Sequence, residues 1–263
     1  MAVRGAALAG LGVLVTRPAH QAERLCQLIE AQGGAAYRFP VLQILGPLDS
    51  QPLQLTARRL EDYDWAIFIS ANAVDRALET ILAVRTWPAS TRIAVIGRSS
   101  AQALEEHGLN ADLVPNDRFD SEALLSLPAL QRVEGQRFVI FRGDGGRELL
   151  ADTLRQRGAR VDYVEAYRRV LPAADTGPLL AQWRDGAIDI VVVNSSESLA
   201  NLFDLLGESG AGLLRQTPLL VVSERMLPLV QQLGFKRPPV VAENATDVAV
   251  MQALVTWRAA RRG

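Results

Sequence analysis

Short apolar, β-branched runs alternate along this chain with stretches whose apolar residues recur every three or four positions. The first pattern is that of buried strands, the second that of helices packed by one face. The run 13–16 leads into a helix over about 19–32, closed by Gly33 and Gly34. The run 65–69 leads through Ser70, Ala71 and Asn72 into a helix reaching about residue 84. The run 93–96 leads through Gly97, Arg98 and Ser99 into a helix that stops near Gly108. The same three steps then recur. Residues 138–141 pass through Arg142, Gly143 and Asp144 to a helix ending at Gly158. Residues 188–194 pass through Ser195 and Ser196 to a helix ending near Gly207, and 219–222 through Ser223 and Glu224 to one ending at Gly234.

The spacing holds across the chain. Arg17 to Arg142 is 125 positions, as are Gly33 to Gly158 and Ser70 to Ser195, and Gly108 to Gly234 is 126. One offset kept over three units predicts an internally duplicated α/β protein. Strands that alternate with helices predict parallel sheets with helices on both faces. Ligands of such sheets bind beyond the carboxyl ends of the strands. The residues predicted there are Thr16, Arg17, Ser70, Ala71, Asn72, Gly97, Arg98, Ser99, Arg142, Gly143, Asp144, Asn194, Ser195, Ser196, Ser223 and Glu224. Small polar residues and glycines at helix starts let backbone amides face an anion. Any one of them alone reads as an ordinary helix cap; their recurrence at six equivalent strand ends is what points to a binding surface. Two such surfaces facing one another would suit a ligand with several negative groups.

Two extended, β-rich segments break the rhythm, 37–44 and 163–172, again 125 apart or nearly so. They read as paired connecting strands, each followed by a linker-like stretch, 46–54 and 173–178. The organisation expected is a discontinuous domain of 1–37 with 172–263, an inserted domain of 45–162, and linker strands 38–44 and 163–171. The repeat alone fits two contiguous halves equally well.

Composition narrows the chemistry. Of 263 residues 49% are hydrophobic and 22% charged, the balance of a chain that buries a core. A net charge of −1 gives no electrostatic footprint of a nucleic-acid binder, and no apolar run reaches the ~20 residues of a membrane span. The apolar stretch 6–15 runs directly into the first strand, so a cytoplasmic protein is expected. Cys26, the single cysteine, lies among Leu25, Leu28 and Ile29 and reads as a core thiol. With His20 and His107 the only histidines and no acidic cluster, no metal site is expected. The Gly143-Asp144-Gly145-Gly146 run lacks the spacing of a nucleotide-binding loop.

The ordered set Val13-Leu14-Val15-Thr16-Arg17-Pro18, Phe68-Ile69-Ser70-Ala71-Asn72, Ala94-Val95-Ile96-Gly97, Arg142-Gly143, Val193-Asn194-Ser195-Ser196 and the segment containing Tyr167 resembles the uroporphyrinogen-III synthase family. That resemblance implies two flavodoxin-like domains joined by a two-stranded β-ladder. It implies closure of hydroxymethylbilane, a linear tetrapyrrole with eight carboxylates, with inversion of its terminal ring and loss of water. It also implies no cofactor, and Tyr167 as general acid. A monomer is the default for a cleft that must flex, and transient contact with hydroxymethylbilane synthase is expected. Packing at a domain junction is the competing role for Tyr167. The rival reading of the whole chain is a non-catalytic two-lobed protein that binds an anionic small molecule.

Overall fold

The computed structural model describes residues 6–116, 118–146 and 148–261. Two compact units arise, one from the chain up to Gln43 together with everything from Val170 onward, the other from Ile44–Arg169. The chain opens with β1 (Gly12–Val15), α1 (Ala19–Ala31) and β2 (Ala35–Arg38). It continues through β3 (Gln43–Leu45), α2 (Gln51–Arg58), β4 (Trp65–Phe68), α3 (Ala71–Leu82), β5 (Arg92–Val95) and α4 (Arg98–Glu106). Then come α5 (Ser121–Ser126), β6 (Arg137–Gly143), α6 (Leu149–Gln156) and β7 (Arg160–Val170). The return to the first unit brings α7 (Gly177–Arg184), β8 (Ile190–Val193), α8 (Ser196–Gln216), β9 (Leu219–Val221), α9 (Leu227–Gln232), β10 (Val240–Val241) and α10 (Asp247–Ala260). Among the described residues no helix is long and apolar enough to cross a membrane.

Each unit holds a five-stranded sheet, ordered β10-β9-β8-β1-β2 in the first and β3-β7-β6-β4-β5 in the second. The pairs with a described register are parallel. Gly12 lies opposite Ala35 where β1 meets β2, and Arg137 opposite Arg160 where β6 meets β7. Val13 lies opposite Ile190 between β1 and β8, and Phe138 opposite Trp65 between β6 and β4. The two sheets therefore share one register at the 125-residue offset.

Strand composition follows from burial on both faces. In β1, Leu14 packs with Val191, Val193 and Val221, while Val13 and Val15 join Ile190, Val192 and Leu220 on the other side. Alternate residues of one strand thus enter two different cores, so an unbroken apolar run is required. In the second unit Trp65, Ile67, Phe138 and Ile140 share one core, with the Trp65 and Phe138 rings stacked 6.3 Å apart. Phe68 stacks on Phe141 at 5.0 Å. Cys26 is fully buried on α1 beside Leu25 and Ile29, and burial pushes its thiol pKa up. His107 ends α4 before Gly108 at φ +75 and reaches Asp75 at 3.2 Å. His20 is exposed and approaches Gln21.

Several local expectations change. The linker-like stretches are partly helical: α2 starts at Gln51 and α7 at Gly177, each with a proline among its first residues, where a missing N–H costs nothing. The two extended segments differ. Strand β7 runs unbroken through Arg160–Val170, whereas the earlier segment splits into β2 and β3 around Pro40, which has no N–H where Glu165 stands 125 positions later. The helix begun at Ser196 ends near Gly207 as expected, at φ 58 and ψ −164, but a second, unexpected helical stretch follows within α8 to Gln216. Residues 224–226 form a 3-10 turn ahead of α9. The chain end from Arg258 to Arg262 reads from the sequence as a solvated helix end, but Arg258 is half-buried and donates to the Ala9 carbonyl; Arg262 lies outside the described residues.

Two measurements test this packing. A Cβ on Gly12 would sit 1.7 Å from the Ala187 carbonyl oxygen, a backbone atom that cannot swing away. Gly12→Ala is expected to lower stability by about 3 kcal/mol, the upper end for overpacking, in urea unfolding. Gly212→Ala, in open space on α8, is expected to raise it by about 0.5–1 kcal/mol. The second concerns Tyr63, whose hydroxyl donates to Asp162 at 2.8 Å; burial, then this bond, pushes its pKa up to about 12. An unfolded tyrosine titrates near about 10, so the folded state holds the proton more tightly. This contribution is whole below about pH 10 and disappears as pH rises through about 12. Tyr63→Phe should flatten that alkaline loss, and an unchanged profile would show that Tyr63 does not hold its proton more tightly in the folded protein.

Candidate active site

In the second unit the strands end in a group of small residues around one tyrosine. Ser70 follows β4 in extended conformation and caps α3 by accepting from the Ala73 amide at 3.1 Å. Ala71 and Asn72 form the first turn of that helix, where amides have no intrahelical acceptor. The Ser70 hydroxyl also lies 3.1 Å from the hydroxyl of Tyr167, on β7. Tyr167 is 2% exposed, so its hydroxyl sits behind Ser70 rather than in open solvent. A Cβ on Gly143 would come within 2.8 Å of the Tyr167 ring, which explains a glycine at the end of β6. Asp144 donates its amide to the Tyr167 carbonyl at 3.1 Å and accepts from the Arg169 amide at 3.2 Å. The Arg169 guanidinium stands 5.9 Å over the Tyr167 ring. Gly97 opens α4 with no side-chain cap, and Arg98 and Ser99 are exposed in its first turn. Phe119 packs close to Gly97 and beneath Arg98.

Arg142 stands apart from this surface. It is 7% exposed, donates from Nε to the Gly145 carbonyl and from Nη1 to Glu148 at 2.9 Å, and lies 4.4 Å over the Tyr163 ring. The arginine holds the Glu148 carboxyl below the usual range. Arg142 also lines a cavity of about 170 Å³ with Ile69, Ile96, Ile140, Leu150 and Tyr163.

The first unit repeats the capping. Ser195 follows β8 and accepts from the Ser198 amide at 3.0 Å, the counterpart of Ser70 and Ala73, with Ser196 exposed in the first turn of α8. Ser223 accepts from the Arg225 amide at 3.3 Å, and Glu224 is exposed beside it. Thr16 is fully buried, its hydroxyl spent on the Val192 carbonyl at 2.8 Å, so it joins β1 to β8. Arg17, 8% exposed, pairs with Asp247 in the first turn of α10 and donates to the Ala245 carbonyl. The Asn194 side-chain oxygen is buried with no hydrogen-bond partner.

Only part of the predicted set is brought together. Ser70, Gly143 and Asp144 each meet Tyr167, whereas Arg17 and Arg142 turn inward to ion pairs. The partners Asp247 and Glu148, and the aromatic residues Phe119 and Tyr163, were missed. Only Asp247 carried a local signal, an acidic residue behind a capping threonine at a helix start. Among the described residues no group of metal-ligating side chains is present.

Comparison with known proteins bears on what this arrangement is. The family model described as uroporphyrinogen-III synthase HemD matches residues 23–252. The uroporphyrinogen-III synthases of Salmonella typhimurium and Escherichia coli are each 35% identical over 93% of this chain and the whole of theirs. Among solved structures, a mutant uroporphyrinogen III synthase from Thermus thermophilus superposes with a TM-score of 0.62 at 19% identity, covering 95% of this chain and 99% of that one. The Helicobacter pylori enzyme does so at 0.56 and 12%, covering 94% and 99%. These structures share the fold. With a model that spans most of the residues and enzymes matched from end to end, the chain belongs to the uroporphyrinogen-III synthase family.

Proposed function

We propose that this chain is a uroporphyrinogen-III synthase, a cyclising lyase of tetrapyrrole biosynthesis that converts hydroxymethylbilane to uroporphyrinogen III with loss of water. The observation that carries it is 35% identity to two such enzymes across 93% of the chain. The non-catalytic binding reading is not favoured, since the curated relatives it matches are named as synthases. The two sheets derive from one duplicated flavodoxin-like unit, a reading supported by their common registers. The domains are 1–37 with 172–263 and 45–162, with 38–44 and 163–171 as linker strands forming a β-ladder. The enzyme acts as a cytoplasmic monomer and takes its unstable substrate in transient contact with hydroxymethylbilane synthase.

The substrate's terminal hydroxyl must leave as water, which requires a proton. A phenol can donate a hydrogen bond, and the buried Tyr167 hydroxyl lies 3.1 Å from that of Ser70 while it accepts from Arg169 at 3.5 Å. Tyr167 therefore donates to Ser70, and Ser70 donates to the departing oxygen. The azafulvene cation left behind is attacked by the substituted α-carbon of ring D. The resulting spiro intermediate fragments and recloses inverted, and a proton is then lost. Because the bilane closes spontaneously to the symmetric isomer, the protein's main task is to orient ring D. Orientation of this kind is worth up to roughly 7–11 kcal/mol. Helix-start amides near Ala71, Arg98 and Ser196, with Asn72, Gly97, Ser99, Gly143, Asp144, Asn194, Ser195, Ser223 and Glu224 around them, make up the substrate surface, and Thr16, Arg17 and Arg142 brace it from beneath rather than touching the ligand there. Support comes from their position at strand ends and helix starts.

Product analysis with freshly generated hydroxymethylbilane tests the activity: isomer III is expected, and isomer I alone from folded protein would refute it. Tyr167→Phe should lower the rate severalfold without abolishing it. Ser70→Ala should do the same, and the double variant should be no slower than the worse single one if the two hydroxyls form one relay. Additive losses would separate them. Ser70→Ala also removes a helix cap, at about 1 kcal/mol, so thermal unfolding must accompany the kinetics.

A further inference from the structure

We infer that the cavity in the second unit is a binding site for a small carboxylic acid with an apolar body of single-ring size, its carboxylate held by Arg142. The space measures about 170 Å³ and lies where α5 and α6 meet the strand ends. An engineered apolar cavity of about 150 Å³ accepts benzene, so one ring fits. Ile69, Ile96 and Ile140 supply apolar walls that would cover the body of such a ligand. The polar groups of the lining converge on an anion. Arg142 is 7% exposed, so its charge acts in a poorly solvated setting where a carboxylate partner counts for more than at the surface. The Tyr163 hydroxyl is buried, and the acceptor near it is the Glu148 carboxylate, the same group that holds Arg142, so a ligand carboxylate that replaces Glu148 would meet both donors. Ser121, at the start of α5, adds a hydroxyl.

The present partner of Arg142 shows how a ligand would enter. Glu148 contacts it through one oxygen at 2.9 Å, and the glutamate side chain is 54% exposed. A glutamate so exposed exchanges readily for another carboxylate, one whose apolar end fills the space that Glu148 leaves empty. Desolvation first, then the Glu148 carboxylate, raises the Tyr163 pKa and keeps its hydroxyl a donor. This assignment differs from the strand-end surface around Ser70 and Tyr167, from which Arg142 is withdrawn. The acid is either free or an arm of a pyrrole on the substrate; the second case rests on the proposed synthase activity.

Benzoate is the probe, with benzamide as its uncharged isostere, titrated into the full-length protein by calorimetry. Benzoate is expected to bind in one site at least tenfold more tightly than benzamide. Ile96→Phe, which fills the cavity and leaves the ion pair alone, should remove that binding. Glu148→Gln should tighten it severalfold by taking away the internal competitor. Equal binding of the two probes, or benzoate binding unchanged by Ile96→Phe, would overturn the proposal, as would no binding at all to folded protein; the cavity would then be a packing void. With the site established, benzoate that competes with hydroxymethylbilane identifies a substrate arm as the occupant. Benzoate that binds without competing identifies a separate acid.

Discussion

Burial of both faces of each parallel sheet governs the rest of this molecule. A strand whose alternate residues enter two different cores has no position left for a polar side chain, which is why β1 and β8 read Gly-Val-Leu-Val and Ile-Val-Val-Val. Charge and hydrogen-bonding chemistry are pushed to the strand ends, where the backbone turns into a helix. Those ends also carry helix-start amides that have no intrahelical acceptor. A helix start can meet an anion through backbone donors, so anion binding at such ends would need no strongly basic chain, and the net charge here is −1.

The same constraint decides the fate of the arginines. Arg17 and Arg142 occupy equivalent exits, and both are drawn under the surface, each onto a carboxylate and a backbone carbonyl. Neither carboxylate is at an equivalent position, Asp247 lying on the first turn of α10 and Glu148 just before α6. The pattern of one charge held inward is common to the two units while the means differ.

Most of the framework was legible in the sequence because strand burial and glycine punctuation are local signals. Gly33, Gly108, Gly158 and Gly234, each at positive φ, ended helices where the pattern placed them. What escaped detection depends on contacts between distant residues. The Tyr167–Ser70 hydrogen bond joins positions 97 apart, and Arg17 meets Asp247 across 230. The start and extent of helix α10 were hidden because its apolar residues are spread around it rather than gathered in one stripe; only a helix end near Arg258 was legible. The break at Pro40 was visible, but the offset between the two extended segments encouraged reading them alike.

Interleaving of the two units has a consequence for how the chain acquires its structure. Strand β1 sits between β2 and β8, so its second edge stays open until residues 190–193 have been made. The unit of Ile44–Arg169 is continuous and can close while that edge waits. During synthesis the order of completion is therefore middle first, and an apolar central strand spends that interval exposed on one side.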